Sequence, residues 1–513
     1  MIIQLLAPKF LVVATLLVGM MNLITPFATK EDSTLRNFFM LATSIIFLGN
    51  VILLDWLFLN GTESNFILLD LGKYSIALHL EPLGMIFLSL LAVLWVCALL
   101  YTIKFLTINE MKNTSRFLFF VNCCVMIGSI IALSANLFTM FVFYEILTLC
   151  TIPLIAHQGG EKAAKGLFSY LKILMISSLV LFLPAIVLIY TNVGHGNFIS
   201  GGFIEGYFSD AHAIILLLMF IFGITKAAIY PLHGWLPSAM VASYPISALL
   251  HAVVVVKTGL FCIYKVLTYV FGLAYLQSLF ADYNWLIFLP IITILYSSMQ
   301  AIRYTQVKMM LAYSTINQLS IALLSAFLLS PKGISAAVMH MVSHSFTKIC
   351  IFYTAGNMYS VKNSYHIGQL IGLKTTMPKT SFVMLIAGLS LMGMPPFAGF
   401  ISKLYIMLAA AEQENLLVMI TLGISTLFSA LYVIKMIIFI YRPTTDEFIL
   451  HLKLKPYFDE ASSSKSSKRI ISAKHRAESR LPTFMILSIT LCLTGVVGFI
   501  FIQQVINKFL MFI

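Results

Sequence analysis

The chain has 513 residues, of which 60% are hydrophobic and only 10% are charged, and its mean hydropathy is +0.97. Soluble domains are nearer half apolar and about a quarter charged, so this composition excludes a water-soluble fold. The formal net charge of +13 does not indicate nucleic-acid binding, because most basic residues lie in short stretches between apolar runs. The sequence therefore predicts the lipid bilayer, and no nucleic acid, as a partner.

The apolar stretches are continuous and do not alternate with a period of two, which predicts a helix bundle rather than a β-barrel. One helical crossing takes roughly 20 mostly apolar residues, so the chain has room for about fourteen crossings. We expect an all-α polytopic membrane protein. The predicted spans are 8–28, 37–59, 82–106, 117–135, 137–156, 166–191, 212–231, 244–272, 285–302, 308–330, 333–358, 380–410, 417–441 and 482–510.

The basic residues predict the orientation, because cytoplasmic loops carry an excess of Lys and Arg. Odd-numbered connections hold most of them, whereas 192–211, 273–284 and 411–416 hold acidic residues and no Lys or Arg; Lys73 and Lys332 are exceptions. We therefore predict cytoplasmic odd loops, both termini outside, and a bacterial inner membrane. The basic residues of the odd connections are Lys30, Arg36, Lys104, Lys112, Arg116, Lys162, Lys165, Arg303, Lys308, Lys362, Lys374, Lys379 and those of 453–480.

The polar stretch 442–481 is predicted to be a basic cytoplasmic loop. Its residues 453–480 are either a surface that contacts anionic lipid or a partner subunit, or a solvated loop. The sequence has no Rossmann glycine pattern, Walker loop, Cys and His ligand set or Ser/His/Asp arrangement. We expect no catalytic site and no cofactor in this chain, so any redox chemistry belongs to another subunit.

Two charged residues that lie within predicted spans are Glu145 and Lys226. A charge at the bilayer centre costs at least ~2.5–3.5 kcal/mol on insertion scales, so each such residue is a functional candidate. Pro231 follows Lys226 by five residues and predicts a helix broken just after the lysine. A broken helix at membrane depth presents carbonyl groups and helix ends that bind ions.

The next span contributes His251 and Lys257, six residues apart in one apolar run. They lie on different faces of an ideal helix, so both can act only if protein surrounds that helix. Lys265 lies nearer the end of the span, and we expect its long side chain to reach the membrane surface.

His340, His344 and Lys348 are spaced at i, i+4 and i+8, which places them on one helical face. Such a row of titratable groups predicts a proton relay. A metal site at the two histidines is the alternative, but no third ligand is evident nearby, so we expect no metal.

Lys403 follows a second predicted helix break, formed by Pro395 and Pro396. Two proline-broken helices, each with a lysine near the break, thus recur about 170 residues apart. Paired broken helices in corresponding positions are typical of transporters that are built from repeats.

Four segments resemble the antiporter-like subunit family that complex I, Mrp-type cation/proton antiporters and membrane-bound hydrogenases share. In this chain, the segment similar to the family's signature core is KAAIYPLHGWLPSAMVASYPISALLHAVVVVKTGLF. The segments similar to the family's later motifs are LAYSTINQLSIALL, HMVSHSFTKICIFYTAG and GMPPFAGFISKLYI. The resemblance covers about residues 80–440. The stretch TLCTIPLIAHQGGEKAAKGLFSYLKILM looks more similar to Mrp-type or stand-alone relatives than to complex I subunits, and the chain as a whole looks most similar to the D-type members of Mrp antiporters.

The resemblance implies fourteen helices with two inverted five-helix repeats, each containing a proline-broken helix. The implied units are N-terminal helices at 1–116, repeats at 117–272 and 285–441, the loop 442–481 and a C-terminal helix at 482–513. The family's roles carry over to a pair, Glu145 and Lys226, and a central relay, His251 and Lys257. The terminal lysine is Lys403.

These features predict translocation of protons, or Na⁺/H⁺ exchange, by one subunit of a larger complex. The proposed relay runs from Glu145 and Lys226 to Lys403, with other membrane subunits as partners. Two alternatives stay open. The first is a proton-pumping subunit of an NADH-quinone oxidoreductase or hydrogenase-like complex, which would make the chain part of a translocase; the second is a subunit of an inorganic-carbon uptake system. A third hypothesis is that the chain does not transport and is a structural or assembly scaffold, whose buried charges only hold helices together.

Overall fold

The computed structural model describes residues 2–28, 33–62, 64–363, 365–443, 481 and 483–512. The fold is a helical bundle with one small hairpin. Its α-helices are α1 (Ile2–Ala28), α2 (Thr34–Leu59), α3 (Pro82–Ile108), α4 (Thr114–Ala132), α5 (Leu137–Ile155), α6 (Gly160–Ser177), α7 (Leu183–Asn192), α8 (Asp210–Gly223), α9 (Trp235–Ser238), α10 (Tyr244–Ala248), α11 (Val255–Lys265), α12 (Leu273–Leu279), α13 (Phe288–Arg303), α14 (Val307–Ala326), α15 (Pro331–Lys362), α16 (Leu373–Thr376), α17 (Pro378–Met392), α18 (Ala398–Glu412), α19 (Leu416–Tyr441), α20 (Thr483–Val497) and α21 (Phe499–Leu510).

Burial separates central helices from peripheral ones. In the most apolar part of the stretch Tyr244–Phe271, which contains α10 and α11, every residue is buried. In the corresponding parts of α14 and α3, 94% and 83% of the residues are buried. By contrast, α1 and α2 are only 33% buried. A helix that is apolar all round belongs inside a bundle or against lipid, and both situations occur here. Protein surrounds the stretch Tyr244–Phe271, as His251 and Lys257 require if both are to act.

A short hairpin before α3 and the loops after α4 and α7 are joined by backbone hydrogen bonds. Strands β1 (Asn65–Leu69) and β2 (Ile76–His79) form an antiparallel hairpin in which Phe66 pairs with Leu78. Isolated bridges join Leu78 to Ser134 and Asn136 to Asn197. These bonds satisfy backbone groups in loops that lack helical partners.

The first helix break lies earlier than predicted. Helix α8 ends at Gly223, three residues before Lys226, so the lysine lies inside the break and not ahead of it. The Thr225 hydroxyl donates to the Phe222 carbonyl at 2.8 Å, which competes with helical bonding, and Ala228 is left-handed with φ +58°. Pro231 follows within the same break, between two 3₁₀ turns.

The second break lies where the sequence places it. Helix α17 ends at Met392, Gly393 has φ +90°, and α18 begins at Ala398, so Pro395 and Pro396 lie between the two helices. Positive φ costs glycine nothing, which makes Gly393 a suitable helix terminator.

Ten of the described helices are long and apolar enough to cross a membrane, and α20 with α21, bent by 66°, makes an eleventh candidate. The chain is therefore an integral membrane protein with ten to eleven candidate spans, fewer than the fourteen predicted. The predicted loop 442–481 lies almost entirely outside the described residues, which resume after residue 443 at residue 481.

Candidate functional site: a buried row of basic side chains

Lys226 is fully buried in the first break, where helix α5 supplies its partners. The Lys226 Nζ donates to the Tyr144 carbonyl at 2.8 Å and to Thr148 Oγ1 at 2.7 Å. The same ammonium lies 3.1 Å from the centroid of the Tyr144 ring. Carbonyl oxygen, hydroxyl oxygen and ring face are all groups that interact favourably with a cation.

Glu145 lies on α5 next to Tyr144, whose carbonyl accepts from the Lys226 ammonium. The two side chains form no direct ion pair, and both carboxylate oxygens are buried without a hydrogen-bond partner among the described residues. The predicted pair therefore makes no ion pair in this structure, and Tyr144 and Thr148 accept the hydrogen bonds of the Lys226 ammonium.

Lys257 and His344 are in direct contact. The Lys257 Nζ lies 2.6 Å from His344 Nδ1, which links α11 to α15 through two buried side chains. A lysine and a histidine can share this bond only if at least one of them is neutral, because one nitrogen must donate and the other must accept. His251 lies elsewhere on the same span, with its ring 5.0 Å from that of Phe352 on α15.

His340 continues the row one turn away on α15. Its ring is nearly parallel to that of His344, with centroids 6.3 Å apart, which confirms the shared face that the spacing predicts. The His340 Nδ1 lies 2.9 Å from Ser402 Oγ, and Ser402 donates to Ser343 Oγ at 3.3 Å. The second ring nitrogens of both histidines have no partner among the described residues.

Lys348 branches from this row toward α14. It is buried and donates to the Leu311 carbonyl at 3.1 Å and to the Ser314 hydroxyl. Its place on the face of His340 and His344 is as predicted, but its bonds go to α14 and not along the row.

Lys403 ends the row at the second break. Its Nζ donates to the Met392 carbonyl at 2.9 Å and to the Leu391 carbonyl at 3.3 Å, the last carbonyls of α17. A helix C-terminus carries partial negative charge, so it stabilises a cation there. Ser402 precedes Lys403, which brings the bridge from His340 to the neighbouring residue.

Lys265 contradicts the expectation that its side chain reaches the surface. It is fully buried, and its Nζ lies 2.6 Å from Glu81 Oε1 and donates to the Ser134 carbonyl. The reason is that loop residues cover the ammonium: Ser134 follows α4, and Phe198 follows α7 with its ring centroid 4.0 Å from the Lys265 Nζ. Glu81 stands just before Pro82, outside the apolar run, so spacing along the sequence gives no sign of the pair.

The described residues include no group of three His, Cys, Asp or Glu side chains that could hold a metal ion. What the row can do is acid–base chemistry. Amines, imidazoles and hydroxyls accept and donate protons in turn, and buried surroundings keep those groups from exchanging freely with solvent.

Comparison with known proteins identifies the family. A family profile described as "NADH:quinone oxidoreductase/Mrp antiporter, TM" matches residues 134–429, more than half of the chain. The chain belongs to this family. The match contains every candidate relay residue, from Glu145 to Lys403.

Two relatives show the breadth of the family. An A-type Na(+)/H(+) antiporter subunit of Alkalihalophilus pseudofirmus is 31% identical over 368 residues, which cover 67% of this chain and 44% of that protein. The NADH-quinone oxidoreductase subunit N of Desulforudis audaxviator is 29% identical over 372 residues, 71% of this chain and 72% of that protein. The chain spans less than half the length of the A-type antiporter subunits that it matches.

Two solved structures share the fold. A chain of the Mrp complex from Dietzia sp. DQ12-45-1b matches with a TM-score of 0.80 and 20% identity, covering 99% of this chain and 97% of that one. A chain of the membrane-bound sulfane sulfur reductase, an archaeal respiratory membrane complex, matches with a TM-score of 0.73 and 23% identity, covering 94% and 99%. The expected likeness to the D-type members stays a prediction.

Proposed function

We propose that this chain translocates protons, or exchanges Na⁺ for H⁺, as an antiporter-like subunit of a larger membrane complex. The observation that carries the proposal is a series of contacts between buried side chains of three helices, α11, α15 and α18. It runs from Lys257 to His344 at 2.6 Å, on to His340, and from His340 to Ser402 at 2.9 Å, beside Lys403. Buried ionisable groups inside a membrane protein are costly, and a connected series of them serves transport better than packing.

The proposed topology has fourteen crossings. Three further helical segments are interrupted or less apolar than the eleven candidate spans, each for a reason that fits a functional span. Helix α15 carries the relay residues that lower its hydropathy, and α8 and the pair α17 with α18 are interrupted by the breaks. Adding these three to the eleven candidates gives fourteen.

Two inverted repeats account for the paired breaks. In the proposed units 117–272 and 285–441, five crossings each, the fourth crossing carries the break and its buried lysine. An odd number of crossings per unit turns the second unit upside down relative to the first. Residues 1–116 and 482–513 then form the flanking helices, with 442–481 as a loop.

The proposed orientation places the odd connections in the cytoplasm and both termini outside, in a bacterial inner membrane. It rests on the distribution of Lys and Arg. Lys265 lies near the end of its span that this orientation places outside, but its side chain is buried inside the bundle. It therefore does not count as a basic residue at the outer surface, which supports this assignment.

In the proposed mechanism, Glu145 and Lys226 set the affinity of the first site. When Glu145 is charged it stabilises the Lys226 ammonium, and when a neighbouring subunit or a conformational change moves it away the lysine releases its proton more readily. The proton then passes through the His251 and Lys257 region to the two histidines.

Helix α11 packs directly against the backbone of the first break at Gly259. A Cβ added to Gly259 would lie 2.3 Å from the Lys226 carbonyl carbon, so only glycine permits this approach two residues after Lys257. Ordered water would bridge the wider gap between Lys226 and Lys257. At the far end, Lys403 delivers the proton through the second break.

A redox complex is the second candidate for the driving reaction. The specific observation that favours it is the match to subunit N, which covers about the same share of both chains. The partners would then be electron-transferring subunits; for an antiporter they would be other membrane subunits. Identifying the proteins that purify with the native complex distinguishes the two candidates, because Fe–S or flavin proteins are expected only in the redox complex.

The experiment that tests transport is proton flux in vesicles that hold the whole complex. Lys226→Ala should abolish flux while the complex still assembles, and Lys226→Arg should also fail because an arginine cannot release its proton. Loss of assembly without a separable flux defect would instead support a scaffold.

A further inference from the structure

A groove of about 660 Å³ lies between α2, α3, α15 and the bent pair α20 and α21. Apolar side chains such as Val93, Phe346 and Ile502 make up most of its wall. Of the described residues that line it, only Asp55 has an acidic or basic side chain. A mostly apolar pocket of this size with one or two polar groups is typical of a ligand site.

The carboxylate of Asp55 is incompletely bonded. Ser89 donates its hydroxyl to Asp55 Oδ2 at 2.7 Å, whereas Oδ1 is buried with no hydrogen-bond partner among the described residues. A buried acceptor without a donor is destabilising, and a carboxylate within a membrane span is a functional candidate by default. A donor from outside the chain would complete the bonding of Asp55.

The surroundings of the groove indicate where that donor comes from. Its flanks carry exposed apolar side chains on α2 and α21, including Leu53, Trp56, Phe501 and Val505. In a membrane protein such side chains meet lipid. Asp55 stands four residues before the end of α2, about 6 Å below that end, which is near the depth where headgroups begin.

We propose that this groove binds a phospholipid with a primary-amine headgroup. The acyl chains lie along the apolar wall, and the ammonium donates to Asp55. The charges are complementary, and no basic residue of the described wall competes for the carboxylate. Since Val342 and Phe346 of helix α15 also line the groove, the lipid braces the helix that carries His340 and His344. The proposal does not depend on the transport function.

The test measures lipids retained by the purified complex, by native mass spectrometry. Phosphatidylethanolamine, phosphatidylcholine and phosphatidylglycerol with identical acyl chains are offered in turn. The wild type should retain phosphatidylethanolamine about tenfold or more over the other two, because a hydrogen bond to a charged group contributes a factor of that order. Phosphatidylcholine has the charge but no N–H donor, and phosphatidylglycerol repels the carboxylate.

Asp55→Asn should remove the preference, whereas the control Asp70→Asn, in the exposed part of the hairpin, should keep it. Val93→Trp fills the groove and should reduce retention of all three lipids without touching the carboxylate. Equal retention of the three lipids by the wild type, or an unchanged preference in Asp55→Asn, would overturn the proposal. So would a photo-crosslinker at Ile502 that attaches to a partner subunit instead of lipid.

Discussion

Replacing His344 by leucine should nearly stop proton flux. Lys257 is fully buried, and the His344 ring nitrogen at 2.6 Å is its hydrogen-bond partner in the described structure. A hydrogen bond to a charged group contributes about 1.5–3 kcal/mol, so its loss changes the equilibrium constant of proton transfer to or from Lys257 by about 10- to 150-fold. Flux through the relay should fall by a similar factor.

The assay is dye-monitored proton flux in vesicles with the assembled complex. His344→Gln offers a hydrogen-bond acceptor to Lys257 but cannot carry a proton, so it separates a structural from a transporting histidine. The relay predicts that both variants fail and that His212→Leu, at an exposed residue of α8, transports normally. Recovery of flux in His344→Gln would show that the histidine only holds Lys257 in place, and flux within about twofold of wild type in His344→Leu would refute the reasoning.

Three further predictions concern other parts of the chain. Glu145→Gln should lower flux sharply and Glu145→Asp should retain part of it; if Glu145→Gln transports normally while Lys226→Ala is inactive, coupling occurs elsewhere in the relay. Glu81→Gln leaves Lys265 as an unpaired buried cation and should destabilise the fold by about 3–5 kcal/mol in thermal unfolding, whereas Glu161→Gln, in an exposed pair, should change little; equal melting temperatures would contradict this. A tag within 453–480 should react only with cytoplasmic reagents, and labelling from outside would reverse the orientation.

The sequence predicted the positions of the helices well because each crossing imposes its own length and apolar composition. It also predicted both breaks, since proline acts locally on the backbone. The first break was misplaced by a few residues because helix α8 already ends at Gly223, where the Thr225 hydroxyl bonds the Phe222 carbonyl, and not at Pro231. Side-chain competition for backbone bonds is a weaker signal than a missing N–H group.

Contacts between distant segments could not be predicted. The shared face of His340 and His344 follows from helical spacing, but the contact of His344 with Lys257 depends on how α11 packs against α15. The same holds for Lys265, whose partner Glu81 is 184 positions earlier in the chain, by the difference of the residue numbers. Spacing along one helix carries no information about the helix that faces it.

Tyr144 and Thr148 show a further limit of charge-based reasoning. The sequence drew attention to Glu145 because it is charged, whereas the direct bonds to Lys226 come from its two neutral neighbours. Both lie on the turn of α5 that contains Glu145. A search for any side chain or carbonyl within one turn of the intramembrane acid would have included them.

The most direct measurement of the central claim is proton flux through the complex with Lys403→Arg, compared with Lys435→Arg. Both lysines donate to backbone carbonyls, Lys403 at the second break and Lys435 to Ile302 at 3.0 Å, outside the row. Arginine keeps the positive charge but does not release its proton. The relay predicts that Lys403→Arg assembles and does not transport while Lys435→Arg transports normally; proton flux in Lys403→Arg equal to that of the wild type would contradict it.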